Sequence, residues 1–158
     1  MTRRILVPVD GSRKSTEGLE HALSTYGDAS ITLLHVVNTH RMTEGVDAGD
    51  GDAESEGGDD RAADLSREFS EEWFERAREE ADAVLAEAEA VADGYGVTVS
   101  TAVEVGEPWR AIVEYAETND VDHIVMGSHG RTEDSPVPLG SVAQAVMRRS
   151  PVLVSIVR

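Results

Sequence analysis

The sequence predicts an α/β fold: a single doubly wound, open parallel sheet of five strands with helices on both faces. Two observations carry that prediction. Continuous apolar runs without polar alternation, such as "ILVPV" from Ile5 and "SITLLHVV" from Ser30, are what strands buried on both faces require. Between such runs lie segments whose apolar residues recur at helical spacing, and regular alternation of strand and helix implies parallel pairing through right-handed crossovers. A length of 158 residues is that of one ordinary domain, large enough to bury a core without staples.

Arg4 to Val9 reads as the first strand, and "DGS" follows as a turn. From Ser15 to about Tyr26, the residues Leu19, Ala22, Leu23 and Tyr26 share one helical face, with Gly27 placed to end the helix. Ser30 to Val37 is the second strand. Residues 40 to 62 carry few apolar side chains, many glycines and many acids, which predicts a mobile insertion. From about Asp64 to Ala92, a stripe of Leu65, Phe69, Trp73, Ala77, Ala81, Val84, Leu85, Ala88 and Val91 predicts one long helix packed on the sheet, ended by Gly94 and Gly96. Val97 to Val103 alternates partially, as an edge strand does. Pro108 opens a helix with Ile112, Val113 and Ala116 turned inward; "DHIVMGS" is the fourth strand, "GSVAQAVMRR" a helix and "VLVSIV" the last strand.

Fourteen Lys and Arg stand against thirty-one Asp and Glu, for a net charge of −17, and Lys14 is the lone lysine. Nucleic acid and anionic membrane both demand a basic footprint, so neither is expected as a partner. An acidic, lysine-poor surface fits a salt-filled cytoplasm; a generic acidic protein with an acidic loop is the plainer reading. At molar salt the Debye length shrinks to roughly 3 Å, so such a surface can still accept a phosphate compound. No apolar run reaches membrane-spanning length and the N-terminal run is too short for a signal peptide, which leads to a cytoplasmic expectation. The absence of cysteine excludes disulfides and thiolate metal sites.

The chemistry concentrates in "VMGSHGRTEDSPVPLGSV", from Val125 to Val142. Glycine permits positive φ and close approach of a ligand to the backbone. Between a buried strand and a helix, such a loop can turn amides toward an anion, with the helix N-terminus adding partial positive charge. Gly127 and Gly130 alone read first as turn glycines, and Ser141 either donates to a phosphate oxygen or caps the helix.

The spacing G-x-x-G-x9-G-S after "IVMGS", with "ILVPVDGS", "LLHVV" and "GEPWRAIVEYAETNDVDHIVMGSHGR", resembles the nucleotide-binding branch of the universal stress protein family. The likeness covers nearly the whole chain outside residues 40 to 62. It implies a Rossmann-like, adenine nucleotide alpha hydrolase-like sheet of order 3-2-1-4-5, and a homodimer in which the last strands of two chains pair. Carried over by position, it implies an adenosine pocket at Pro8, Val9, Asp10 and Val36, with Asp10 at the ribose or base. Met126 and Gly127 would line the ribose side. Gly130, Gly140, Ser141 and Val142 would hold phosphates, with Mg or Mn bridging them and ATP or AMP as the ligand. With no lysine near this loop, neutralising the phosphates falls to its amides, Arg131 and the metal. In "RTEDSPVPL" the chain departs from the family's usual loop: Pro136 and Pro138 remove two N–H donors, while Glu133 and Asp134 add negative charge.

Other motifs are set aside. "DGSRKS" lacks Walker spacing and no G-x-G-x-x-G is present. His35, in a buried strand, is expected to be a satisfied core histidine, and no histidine pair has zinc-binding spacing. Asp10, Ser12, Ser128 and His129 gather at one sheet edge, but no G-x-S-x-G elbow supports a triad. His129 is the one candidate general acid or base, with a solvent-facing loop residue as its plain role. Three functions follow: an ATP-binding regulatory homodimer with little hydrolysis, a nucleotide-independent interaction module, and a slow nucleotide hydrolase using His129.

Overall fold

Ile5, Leu6 and Val7 are almost inaccessible to solvent, and successive side chains feed two separate cores. Strand geometry requires this, because neighbouring Cβ atoms point to opposite faces of a sheet. The computed structural model describes residues 2–39, 59–130 and 138–158, and over 59–70 the backbone alone. Within these the elements run β1 (Arg4–Pro8), α1 (Arg13–Thr25), β2 (Ser30–Asn38), α2 (Asp59–Gly94), β3 (Ser100–Gly106), α3 (Pro108–Thr118), β4 (His123–Gly127), α4 (Ser141–Arg149) and β5 (Leu153–Val157). All strand pairs are parallel and the order is β3-β2-β1-β4-β5, as expected. Residues 40–58 of the expected insertion, and Arg131 with the rest of 131–137, lie outside the described residues.

One core joins Ile5, Val7, Ile31, Leu33 and Val125 to Leu19, Ala22 and Leu23 of α1 and Val84, Leu85, Ala88 and Ala92 of α2. The other joins Leu6, Leu34, Ile124 and Met126 to Ile112 and Ala116 of α3 and Ala143 and Val146 of α4. Helices α1 and α2 therefore cover one face, and α3 and α4 the other. Full burial of each of the isoleucine, leucine, valine and methionine side chains contributes roughly 1.5–3 kcal/mol.

Two boundaries differ from expectation. Strand β3 is Ser100–Gly106 rather than Val97 to Val103, because its ladder with β2 starts at the Thr32–Ser100 pair and continues to Asn38–Gly106. Val97 and Val99 instead pack against the first core on the way in from α2. Helix α2 starts at Asp59, ahead of the expected Asp64, so residues 59–62 are helical. Gly27 is not the left-handed cap foreseen for α1. Tyr26 is the cap, and a Cβ on Gly27 would stand 3.1 Å from the Leu23 carbonyl oxygen, so close approach is what calls for glycine there.

The length of α2 shapes the site. Its 36 residues span about 54 Å at 1.5 Å per residue, whereas the longest strand covers about 30 Å. Among its described side chains, those buried in the core begin at Ala81. Of the described stripe residues, Trp73 and Ala77 are only half-buried and lie on a part of the helix that overhangs the carboxyl ends of the strands.

Candidate functional site

The strand order reverses at β1, which sits between β2 and β4. The turn after β1 leads to α1 on one face and the loop after β4 leads to α4 on the other, so the two diverge and leave a cleft at the carboxyl edge.

Asp10 is fixed at the floor of this cleft. Gly11 adopts φ +82°, a left-handed conformation that suits glycine. That turn brings the Ser12 N–H to Asp10 Oδ1 at 2.9 Å, and the Asp10 N–H donates to Ser15 Oγ at 3.1 Å. Ser12 in turn caps α1, its Oγ accepting from the Ser15 N–H at 3.2 Å.

The loop after β4 is tied at both ends. Ser128 donates its N–H to the carbonyl of Val157 at 2.9 Å, and Gly140 donates to the carbonyl of Ser128 at 2.7 Å. The glycines here serve close approach rather than positive φ, which is where the structure departs from the sequence reading of their freedom. A Cβ on Gly127 would run into the Lys14 carbonyl of α1, one on Gly130 would stand 2.8 Å from Asp10 Oδ2, and one on Gly140 3.2 Å from the Ser128 carbonyl. The Gly140 amide, foreseen as a phosphate donor, is occupied by Ser128.

Helix α4 begins with Gly140 as its cap, and no side chain closes that cap. Ser141 is therefore the first helical residue and not the capping one, which removes the alternative role for its hydroxyl. Gln144 makes the first intrahelical bond, to Gly140 at 3.0 Å. The amides of Ser141, Val142 and Ala143 precede it and have no acceptor within the helix. The positive end of the helix dipole lies at the same place.

These elements enclose a cavity of about 440 Å³. Of the residues singled out from the sequence, Pro8, Val9, Asp10, Val36, Met126, Gly127, Gly130, Ser141 and Val142 line it, and Gly140 supports it from behind. Val9, Val36, Ile112 and Met126 give the inner part an apolar wall. His35, buried as expected, also reaches the wall, and its Nδ1–H donates to the Val9 carbonyl at 2.9 Å. His129 pairs its Nδ1 with Ser128 Oγ at 2.9 Å.

The α2 stripe reads from sequence as packing on the sheet in preference to a ligand groove, yet Trp73, Arg76, Ala77 and Glu80 all line the cavity. The available signal was length, since a helix far longer than the strands beside it has to overhang one edge. Among the described lining residues Arg76 is the sole lysine or arginine, against the carboxylates of Asp10 and Glu80. No cluster of three metal-ligating side chains occurs among the described residues, and none of their helices is long and apolar enough to cross a membrane.

Comparison with known proteins agrees with this architecture. The profile of the universal stress protein family matches residues 1–158. Universal stress protein MJ0577 of Methanocaldococcus jannaschii is 32% identical, over 98% of this chain and 94% of its own. The solved structure of MJ0577 superposes with a TM-score of 0.72 at 26% identity, covering 99% of this chain and 96% of the other. A universal stress protein crystallised in complex with cAMP has a TM-score of 0.63 at 22% identity, covering 99% and 97%. An Arabidopsis thaliana family protein with AMP bound has a TM-score of 0.61 at 13% identity, covering 98% and 90%. The chain belongs to the universal stress protein family.

Proposed function

We propose that the chain binds an adenine nucleotide, ATP or AMP, in this cavity and acts as a regulatory homodimer in a salt-rich cytoplasm, with little or no hydrolysis. One observation carries the reading: Ser141, Val142 and Ala143, whose amides precede the first bond within α4, line a cleft whose inner wall is apolar. An anion seats at a helix N-terminus while a flat heterocycle is sheltered from water against Val9, Val36 and Met126. The nucleotide complexes of the two structural relatives support the same ligand class. A bridging Mg or Mn ion would draw its ligands from phosphate and water.

Regulation requires the site to reach a surface. The Ser128 peptide joins Gly140 at the cavity to Val157 at the end of β5. Strand β5 is an outer strand with Leu153 63% exposed, and pairing with a second copy would cover its unpaired edge. Sedimentation at high salt tests this: a monomer removes the dimer.

The binding reading is tested by titration calorimetry of ATP and AMP in molar KCl, with and without Mg²⁺. Ser141→Pro is the informative variant. Proline suits the first helical position, and Gly140, at φ −69° and ψ 164°, already has the extended geometry that a residue before proline prefers. The fold should persist while one amide and one hydroxyl vanish from the cavity. Unaltered ATP affinity would refute the cradle, and no binding by wild type would leave the interaction-module reading. Half-exposed Phe74, packed edge-on against Trp73 at 5.1 Å, is the feature that favours that second reading.

A further inference from the structure

We propose that Arg76, carried by the overhang of α2, pairs with the phosphate chain of the bound nucleotide from the wall opposite α4. The inference rests on the nucleotide reading and adds to it a side chain that the motif-bearing segments do not contain.

Placement comes first. Glu80 lines both the cavity and an adjoining groove formed with Asp10, Gly11, Ser12 and Arg13. Val84 lies one turn further along, with Cγ2 3.3 Å from where a Cβ on Gly11 would stand. Helix α2 therefore crosses directly over the turn after β1. Arg76 is one turn before Glu80 on the same face of the helix and lines the same cavity. Because α2 belongs to one face of the sheet and α4 to the other, a ligand in the cavity lies between the guanidinium and the open N-terminus of α4.

Charge comes second. A polyphosphate entering this cavity meets the carboxylates of Asp10 and Glu80, on a chain whose net charge is −17. Arg76 is the sole lysine or arginine among the described residues that line it. The ion pairs of Arg13 and Lys14 with Glu17 do not involve Arg76. Guanidinium offers forked donors that match phosphate oxygens two at a time, which a lysine cannot reproduce.

The test compares ATP and adenosine as probes on wild type, Arg76→Ala, Arg76→Lys and Arg78→Ala. Arg78 lies two residues on, is exposed and does not line the cavity, so its loss changes net charge equally without touching the site. Arg76→Ala should weaken ATP binding about twofold to fivefold, as loss of an exposed ion pair does, and leave adenosine unchanged. Arg76→Lys should recover part of the loss, and Arg78→Ala should resemble wild type. Equal losses in Arg76→Ala and Arg78→Ala would reduce the effect to overall charge and overturn the proposal. ATP affinity unchanged in Arg76→Ala would overturn it alone, leaving the nucleotide reading intact. If wild type binds neither ATP nor adenosine, both fall together.

Discussion

Asp10 Oδ2 lies 2.8 Å from the point that a Cβ on Gly130 would occupy, so the end of β1 and the loop after β4 meet through a carboxylate laid against a bare Cα. Asp10 cannot easily retreat, because its other oxygen accepts the Ser12 N–H at 2.9 Å. Gly130→Ala should therefore cost stability in the wild-type background and much less in Asp10→Ala. Chemical denaturation of the two single variants and the double variant at fixed KCl gives the coupling, expected at about 0.5–3 kcal/mol for residues in contact. Additive penalties would mean that Gly130 is needed for some reason other than Asp10.

A second pair of glycines sets how closely α1 approaches the sheet. A Cβ on Gly18 would lie 2.9 Å from the Gly127 amide nitrogen, and one on Gly127 would overlap the Lys14 carbonyl. Both obstacles are backbone, which cannot rotate aside. Gly18→Ala should destabilise by about 1–3 kcal/mol despite alanine's better helix propensity, and Gly127→Ala by at least as much. Midpoints of urea unfolding decide the matter, and a stabilised Gly18→Ala would show that helix propensity outweighs the contact.

Strands β1 and β4 were legible in the sequence because burial on both faces leaves an unbroken apolar run, as in Ile5–Val7 and Ile124–Met126. Their order was not in the periodicity and came from the family likeness. Helix α2 shows why the site was only half legible. Trp73 and Ala77 continue the stripe of Ala81, Val84 and Leu85 without a break, and spacing does not say where the sheet beneath them ends. The glycines illustrate a different gap. Sequence marks Gly130 and Gly140 as places without a side chain, but the atoms that need the space belong to Asp10 and Ser128, and only folding identifies them.

The position of Trp73 in the cavity wall provides an optical readout. Of the two tryptophans, Trp109 is not among the residues lining the cavity, and its ring lies beneath the guanidinium of Arg149 at 4.7 Å. In a Trp109→Phe variant the remaining emission comes from Trp73. Nucleotide binding should shift or quench it, with the same midpoint as calorimetry, because the ligand replaces water on one side of a half-buried indole. Saturable calorimetric binding with no change in emission would place the ligand away from α2 and count against Arg76 as well.

His123 makes stability depend on pH. It is 1% exposed at the start of β4, with Nε2 hydrogen-bonded to Ser155 Oγ at 2.7 Å and Nδ1 buried without a partner among the described residues. The Tyr26 ring packs against it edge-on at 5.2 Å. Burial lowers its pKa below the ordinary 6.5, and the positive charge of Arg3 and then the proximity of His21 push the same way. The folded protein thus resists a proton that the unfolded chain accepts. Its contribution to stability is complete above the unfolded value and is lost as pH falls through the depressed folded one. Wild type should consequently lose stability more steeply than His123→Gln as pH is lowered from about 6.5 toward 5, the glutamine keeping a hydrogen-bonding group for Ser155 without a titrating ring. The acids titrate in both proteins, so the difference between the two curves isolates the histidine. Parallel curves from denaturation at fixed KCl would show that His123 is protonated as readily in the folded chain as in the unfolded one.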